Sequence, residues 1–282
     1  MRPFKEKLSK LTNIDPSILP SSYQIIGDIL LFKFYKIKSI QQKKKIAQET
    51  VKLLHYIKTV CEMKGISGEF RKPNIRILHG NNTETLHKEN GCIFKLDAAK
   101  IMFSKGNLQE RKRLVPEIRQ GEVIVDCFAG IGYFSINLAK FSKAGKIYSI
   151  EKNKASFDCM KENIELNRIQ NMVPILGDAG KAQIPEKADR IIMGYLPKTY
   201  RFLPAAFGFL KDKGTIHYHD TFSKKELWHK PIKIIETEAN KSGFALEKIL
   251  EKKIVKDYAP NVYHVVIDAV FRKQKNKFCP IL

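Results

Sequence analysis

The sequence predicts an α/β chain, with a parallel sheet covered by helices on both faces and a smaller α+β segment in front of it. Three observations predict it. From about residue 110, strand-like and helix-like segments alternate. The strand-like ones, such as "VIVD" and "RIIM", are nearly continuous apolar runs, as strands buried on both faces must be. Polar residues and glycines then gather just past those runs, where open α/β sheets bind ligands.

Taken in order, residues 1–22 are basic and punctuated by proline, and read as a short helix and a connector. "YQIIGDILLFKF" (23–34) is apolar and β-branched around Gly27-Asp28, the pattern of two strands and a tight turn. Residues 40–65 put Ile46, Val51, Leu54, Ile57 and Cys61 on one helical face and end at Gly65, which predicts one long helix. Three strand-like pieces follow, "NIRILHG", "TETLHKENG" and "CIFKLDAAKIMFS". The first domain is expected to span 1–108 and the second 109–282. The second opens on a helix, "NLQERKRLVPEI", and a strand, 123–130. Helices at 133–141, 154–167 and 202–211 then alternate with strands at 146–151, 172–179, 188–196 and 214–221. A helix around 230–243 and strands at 246–255 and 262–272 predict an antiparallel finish.

The chain has 282 residues, 43% hydrophobic and 28% charged, which is globular composition. No apolar run reaches the length of a bilayer span, and "MRPFKEKLSK" lacks the apolar core of a signal peptide. Lys and Arg outnumber Asp and Glu by 51 to 29, a formal charge of +22 that favours a polyanion such as tRNA or rRNA. A lysine-rich proteome gives the same excess, so charge alone leaves RNA binding open. Cys61, Cys92, Cys127, Cys159 and Cys279 form no C-x-x-C pair, which argues against a zinc site or a disulfide framework. Cys127, at an apolar strand end, reads as a small core residue.

Asp126 ends the first strand of the alternating region, and Gly130 and Gly132 let the backbone turn toward a ligand. A dinucleotide fingerprint needs a further glycine at 135, where Ser135 stands. Glu151, 25 residues after Asp126, ends "KIYSIE", and an acid there accepts from both hydroxyls of a ribose. Asp178, in "ILGDAGK", can accept from an adenine amino group, with Ala179 offering a backbone N–H. Each acid alone reads equally well as a solvated loop carboxylate. Three at successive strand ends point to an adenosine site, and together they resemble the Rossmann-like fold of class I S-adenosylmethionine-dependent methyltransferases.

A narrower resemblance rests on "NGCIFKLDAAKIMFSKGNLQERKRL" (90–114), "YQIIGDILL" and "DYAPNVYHVVIDAVF". These are similar to the tRNA guanine-N1 methyltransferase and wybutosine-synthesis group, which modifies the purine 3′ to the anticodon, and the likeness covers essentially the whole chain. The N1-methyltransferases carry Phe-Ser-Pro-Arg and Asn-Leu-Pro where this chain has Phe103-Ser104-Lys105-Gly106-Asn107 and Tyr195-Leu196-Pro197. Both departures resemble the aminocarboxypropyltransferase branch. That branch implies S-adenosyl-L-methionine as group donor. Its 3-amino-3-carboxypropyl group goes to a carbon of tricyclic 4-demethylwyosine in tRNA(Phe), and methylthioadenosine is released. With the residues above, it implies Ser104, Arg111, Phe128, Glu151, Asp178 and Ala179 around the donor, Arg111 pairing with the methionine carboxylate. Tyr195 and Pro197 become the substrate-side candidates, and Tyr195 reads equally as a stacking platform or as packing under its loop.

Two rival readings stay open: N1-methylation at the same position, and a tRNA-binding protein without catalysis. The missing Arg and Asn count against the first, the intact strand-end residues against the second. His217 and His219 flank Tyr218 on a strand and share a face, which without further ligands predicts packing or solvent contact rather than metal. The basic runs Lys43–Lys45 and Arg111–Arg113 suit phosphate contacts, although exposed helix lysines commonly just solvate the helix. The expected protein is a cytoplasmic monomer that binds tRNA, no metal and no membrane.

Overall fold

The computed structural model describes residues 2–103 and 107–275. The chain divides into two compact units, Met1–Ser104 and Lys105–Leu282.

In the first unit, α1 (Arg2–Thr12) precedes β1 (Tyr23–Ile26) and β2 (Ile29–Phe32), an antiparallel pair that closes at Gly27-Asp28 as expected. Helix α2 (Ile40–Leu53) begins where the Ser39 side chain accepts from the Gln42 N–H. Strands β3 (Thr59–Ser67) and β4 (Lys72–His79) complete a sheet of order β1-β2-β3-β4. Because β2 and β3 are parallel, α2 is the crossover that returns the chain between them. Leu8, Leu30, Phe32, Ile46, Val60 and Leu78 form the core. A separate hairpin joins β5 (Glu84–Glu89) to β6 (Cys92–Asp97).

The long helix expected over 40–65 therefore stops at Leu53. Ile57 and Cys61 continue the helical spacing, but Thr59, Val60, Cys61 and Glu62 are all buried, which an amphipathic helix cannot arrange. Cys61 lies opposite Leu31 on one side and Ile77 on the other, so ladders on both edges replace the helical hydrogen bonds. Glu62 takes Lys43 out of solvent with it, at 2.5 Å. Of that basic run, Lys44 and Lys45 are exposed and Lys43 is not, a correction to its reading as a phosphate-facing triplet.

The second unit begins with α3 (Leu108–Arg113), which tightens into a single turn of 3-10 helix, Val115–Glu117, where Pro116 lacks a donor. There follow β7 (Val123–Asp126), α4 (Ser135–Phe141), β8 (Lys146–Glu151), α5 (Lys154–Leu166), β9 (Met172–Leu176) and β10 (Ala188–Met193). Then come α6 (Leu203–Phe209), β11 (Leu210–Ser223), α7 (His229–Lys241), β12 (Phe244–Ala259) and β13 (Val262–Lys273). One seven-stranded sheet results, of order β12-β13-β11-β10-β7-β8-β9. Strands β7 to β11 are parallel and β13 is antiparallel to both its neighbours, the finish expected. The order reverses between β7 and β10, which opens a crevice past their carboxyl ends.

One face of this sheet is apolar: Val125, Ile191, Met193, Ile216, Tyr218 and Ile267 pack with Phe207 of α6 and Ile235 of α7. The other carries buried charge. Arg113 Nη1 donates to Asp268 Oδ2 at 2.7 Å and to Glu117 at 2.8 Å, while its Nε reaches Glu110 at 2.9 Å. His217 Nε2 lies 2.7 Å from Arg190 Nη1, and a guanidinium can only donate, so Nδ1 carries the ring proton and gives it to Asp268 at 2.6 Å. Arg190 Nε meets Glu122 at 2.9 Å. His217 is thus packed, as expected, but within an ion-pair network in which both its nitrogens are bonded. Glu117, His217 and Asp268 bring ligand atoms within 4.8 Å of one another, and the positive charge among them is the Arg113 guanidinium.

Asp268 is fully buried with two cationic or protic partners, so Asp268→Ala strands Arg113 and His217. Urea unfolding is expected to register a loss of roughly 3–5 kcal/mol, the range for breaking a buried pair. A loss of about 1 kcal/mol or less, as for exposed pairs, would mean that the network is dispensable.

Candidate functional site

The crevice is built from the ends of β7, β8, β9 and β10. Asp126 closes β7 and turns back into its own loop: Oδ2 accepts from the Ser135 hydroxyl at 2.6 Å and Oδ1 from the Phe128 N–H at 3.2 Å. Ser135, standing where a dinucleotide fingerprint would have glycine, is therefore the strut of the turn. Burial pushes the Asp126 carboxyl up to about 6, and the charge of Glu151 adds to it. Because Asp126 is fully buried, it shapes the turn, and its influence on a ligand runs through that turn. Gly130 (φ +60) and Gly132 (φ +93) need the left-handed region, and side chains there would meet Tyr133 and Ile136 at 2.8 and 2.6 Å.

Glu151 joins two strand ends. Its Oε2 accepts from the Gly130 N–H at 2.8 Å and its Oε1 from the Asn153 N–H at 2.6 Å. Burial raises its carboxyl, and the N–H groups of Asn153, Gly130 and Lys152 oppose the shift. The side chain is only half-buried, and each oxygen keeps a second lone pair for a ligand hydroxyl. Asn153 also starts α5 by accepting from the Ala155 N–H at 3.0 Å. Past β9, Asp178 accepts from the Gly180 N–H at 2.9 Å and pairs with Lys152 at 3.1 Å, and both hold its carboxyl low. Ala179 is buried beside it.

The loop after β10 brings Tyr195 to Phe128, ring centroids 5.0 Å apart, and Phe202 closes the triangle at 4.9 and 5.7 Å. All three rings are half-buried. Phe202 also borders the turn at Gly180, so it links the Asp178 side of the crevice to the Tyr195 side. Pro197 is exposed. Lys198 takes φ +69, and its N–H donates to Asp220 Oδ1 at 2.8 Å, while the Tyr200 N–H and Tyr218 hydroxyl reach Oδ2 at 3.4 and 2.8 Å. Neither Phe202 nor Asp220 was expected. The available signal was an acid and an aromatic beside strand ends already marked as functional.

Arg111, on α3, is buried with its guanidinium 4.6 Å from the Tyr133 ring centroid, over the residue that follows Gly132. Arg113 belongs to the ion-pair network, which leaves Lys112 as the exposed member of that basic run. The reading of Arg111–Arg113 as phosphate contacts is corrected accordingly. Ser104, with Lys105 and Gly106, lies outside the described residues. Three acids at successive strand ends, a glycine turn and a ring-lined mouth suit a nucleoside that carries a further reactive arm.

Residues 85–247 match the TRM5/TYW2 methyltransferase domain, and residues 4–83 the TYW2 N-terminal domain. The chain belongs to the TRM5/TYW2 family. A relative 46% identical over 251 residues is the tRNA(Phe) (4-demethylwyosine(37)-C(7)) aminocarboxypropyltransferase of Methanocaldococcus jannaschii, with 89% of this chain and 98% of that one covered. The tRNA (guanine(37)-N(1))-methyltransferase Trm5b of Pyrococcus abyssi is 38% identical over 254 residues, covering 89% of this chain and 74% of its own. The crystal structure of P. horikoshii TYW2 in complex with MeSAdo superposes at TM-score 0.82 and 34% identity, covering 95% of this chain and 100% of that one. Family membership bears out the Rossmann-like, S-adenosylmethionine-dependent fold and the group that the sequence resembles.

Asp220 holds the loop that carries Tyr195, and this is measurable without substrate. In Asp220→Ala, losing an acceptor worth about 1–3 kcal/mol per charged hydrogen bond is expected to speed amide exchange at Lys198 and Tyr200 by roughly tenfold. Amides of β7 are expected to keep their protection. Unchanged exchange at Lys198 would show that the loop is held by other contacts.

Proposed function

We propose that this chain transfers the 3-amino-3-carboxypropyl group of S-adenosylmethionine to C7 of 4-demethylwyosine at position 37 of tRNA(Phe), releasing methylthioadenosine. The observation that carries this reading is the loop after β10. Where N-methylating relatives present an Asn, it presents Tyr195 against Phe128 and Phe202. The similarity to the M. jannaschii aminocarboxypropyltransferase over 89% of the chain supports it.

The donor supplies an electrophilic methylene next to a positively charged sulfur. The residues bind and orient it. Glu151 receives the ribose hydroxyls, Asp178 the adenine amino group and Ala179 its ring edge. Arg111 meets the methionine carboxylate as a charge-assisted pair. The glycine turn at Gly130 and Gly132 lets the backbone come close. Tyr195 faces the tricyclic base, with the exposed Pro197 two residues on in the same loop, and the ring-lined mouth keeps water from the reacting carbons. A carbon nucleophile of such a base asks for alignment above all, which fixed geometry supplies. The sulfonium brings its own leaving group, so the step calls for no metal.

The formal charge of +22 suits a polyanionic substrate, with both units, Met1–Ser104 and Lys105–Leu282, contributing phosphate contacts. Among the described residues no helix is long and apolar enough to cross a membrane. We take the protein to act in the cytoplasm as a monomer.

N1-methylation of guanine at the same position is the second reading, favoured by similarity to Trm5b. The by-product separates them. Labelled donor and tRNA bearing 4-demethylwyosine are expected to give methylthioadenosine, and guanine-bearing tRNA to give no product. Stoichiometric S-adenosylhomocysteine from the guanine-bearing tRNA would replace the first reading by the second.

Glu151→Ala removes a charged acceptor worth about 1.5–3 kcal/mol, so calorimetry is expected to find S-adenosylmethionine binding weakened by roughly tenfold or more. Unchanged affinity would take Glu151 out of the ribose site.

A further inference from the structure

Arg111 and Arg113 stand two residues apart on α3, and their surroundings differ in kind. Arg113 lies against the carboxylates of Glu110, Glu117 and Asp268, which neutralise it. Arg111 is buried with its guanidinium 4.6 Å from the ring centroid of Tyr133. A ring face attracts a guanidinium through its quadrupole, so it neither cancels the charge nor uses the N–H edge. A carboxylate partner does both. The ring contact is therefore compatible with a further anion on the same cation, where the ion pairs of Arg113 are not.

Tyr133 is itself seated by the glycine turn. Gly130 takes φ +60, and a Cβ there would lie 2.8 Å from Cε2 and 2.9 Å from Cδ2 of Tyr133. The edge of the ring thus occupies the space that a side chain at 130 would fill. The Tyr133 N–H donates to the Ala129 carbonyl at 3.1 Å and that of Gly132 to the same carbonyl at 2.8 Å, which fixes the backbone below the ring. The Gly130 N–H donates to Glu151 Oε2 at 2.8 Å. The Glu151 carboxylate, the Gly130 backbone, the Tyr133 ring and the Arg111 guanidinium are thus successive contacts across one turn.

We propose that Tyr133 is a positioning residue that sets the distance between Glu151, the ribose anchor, and Arg111, the carboxylate anchor. The inference rests on the proposed reading of those two residues as donor contacts. In that reading the arm between the anchors is the group transferred, so holding both its ends aligns the methylene between them. Helix α3 fixes the backbone of Arg111, but a guanidinium hangs on a long flexible stem, and the ring restricts it. The ligand recognised through Tyr133 is a nucleoside whose arm ends in a carboxylate. A nucleoside without that carboxylate gains nothing from the ring.

Calorimetry on the full-length protein compares three ligands: S-adenosylmethionine, its decarboxylated form and methylthioadenosine. Tyr133→Leu is expected to weaken S-adenosylmethionine about tenfold, the scale of a desolvated cation on a ring. The other two ligands are expected to stay within about twofold of the wild type. Tyr133→Phe keeps the ring and is expected to bind all three as the wild type does. Where the leucine variant does not fold, a fluorinated phenylalanine at position 133 keeps the shape and weakens the negative ring face. It is expected to loosen S-adenosylmethionine alone, by roughly fivefold. Unchanged affinity for S-adenosylmethionine in the leucine and fluorinated variants would overturn the inference. So would an equal loss for all three ligands, since the ring would then only support the turn, or a loss in Tyr133→Phe as large as in Tyr133→Leu. Arg111→Met checks the reading beneath it and is expected to bring S-adenosylmethionine down to the affinity of its decarboxylated form. No change in Arg111→Met would take Arg111 away from the carboxylate, and the inference would fall with that reading.

Discussion

The contact between Arg113 and Asp268 holds the catalytic unit's architecture to its site. Helix α3 is six residues long, "LQERKR", with one apolar residue, too short and too polar to dock by hydrophobic burial. Asp268, fully buried on β13, anchors it through a 2.7 Å bond to Arg113 and passes the constraint through His217 to Arg190 on β10. Two positions back, Arg111 is thereby fixed over Tyr133. A cation that would serve the donor carboxylate is thus held in place by a different cation's ion pair. Burial makes that pair rigid as well as strong, because a guanidinium and a carboxylate bonded to each other and to further fixed partners have no other arrangement to adopt.

The same logic governs the crevice before any ligand arrives. Asp126 spends both oxygens on its own turn, and Glu151 spends one lone pair on each side to tie β8 to that turn and to the start of α5. Glu151 is then aimed, with its remaining lone pairs outward. Its half-buried state is the compromise: deeper and the charge would be lost to desolvation, shallower and water would occupy the remaining lone pairs.

What the sequence made legible rested on adjacency. Asp126, Glu151 and Asp178 stand directly after apolar strands, so strand polarity and the sheet rule place them together without any knowledge of distances. The gathering of these three acids at one end of the sheet, the parallel core and the antiparallel finish were readable for that reason. The helix read over 40–65 failed because Ile57 and Cys61 keep a spacing of four by coincidence, while the four successive buried residues Thr59–Glu62 belong to a strand covered on both faces. Asp220 and Phe202 were hidden for another reason. Their roles depend on which backbone amides and which ring the loop after β10 presents, and that is decided by its path, with Lys198 left-handed, not by residue type. Arg113, His217 and Asp268 are far apart in sequence, and charges on a short helix read by default as solvated.

Two activities on one scaffold need only a small difference in the crevice. A guanine N1 must surrender its proton before it can attack, which calls for a polar group beside the nitrogen. A carbon of an electron-rich tricycle attacks first and gives up its proton afterwards, so the groups nearest the target can be rings. Under the proposed reading Phe128, Tyr195 and Phe202 are such groups, and two of the three carry no ionisable atom. His219 and His264 lie behind Phe134 with both rings buried, so under that reading the base meets rings before it meets any imidazole.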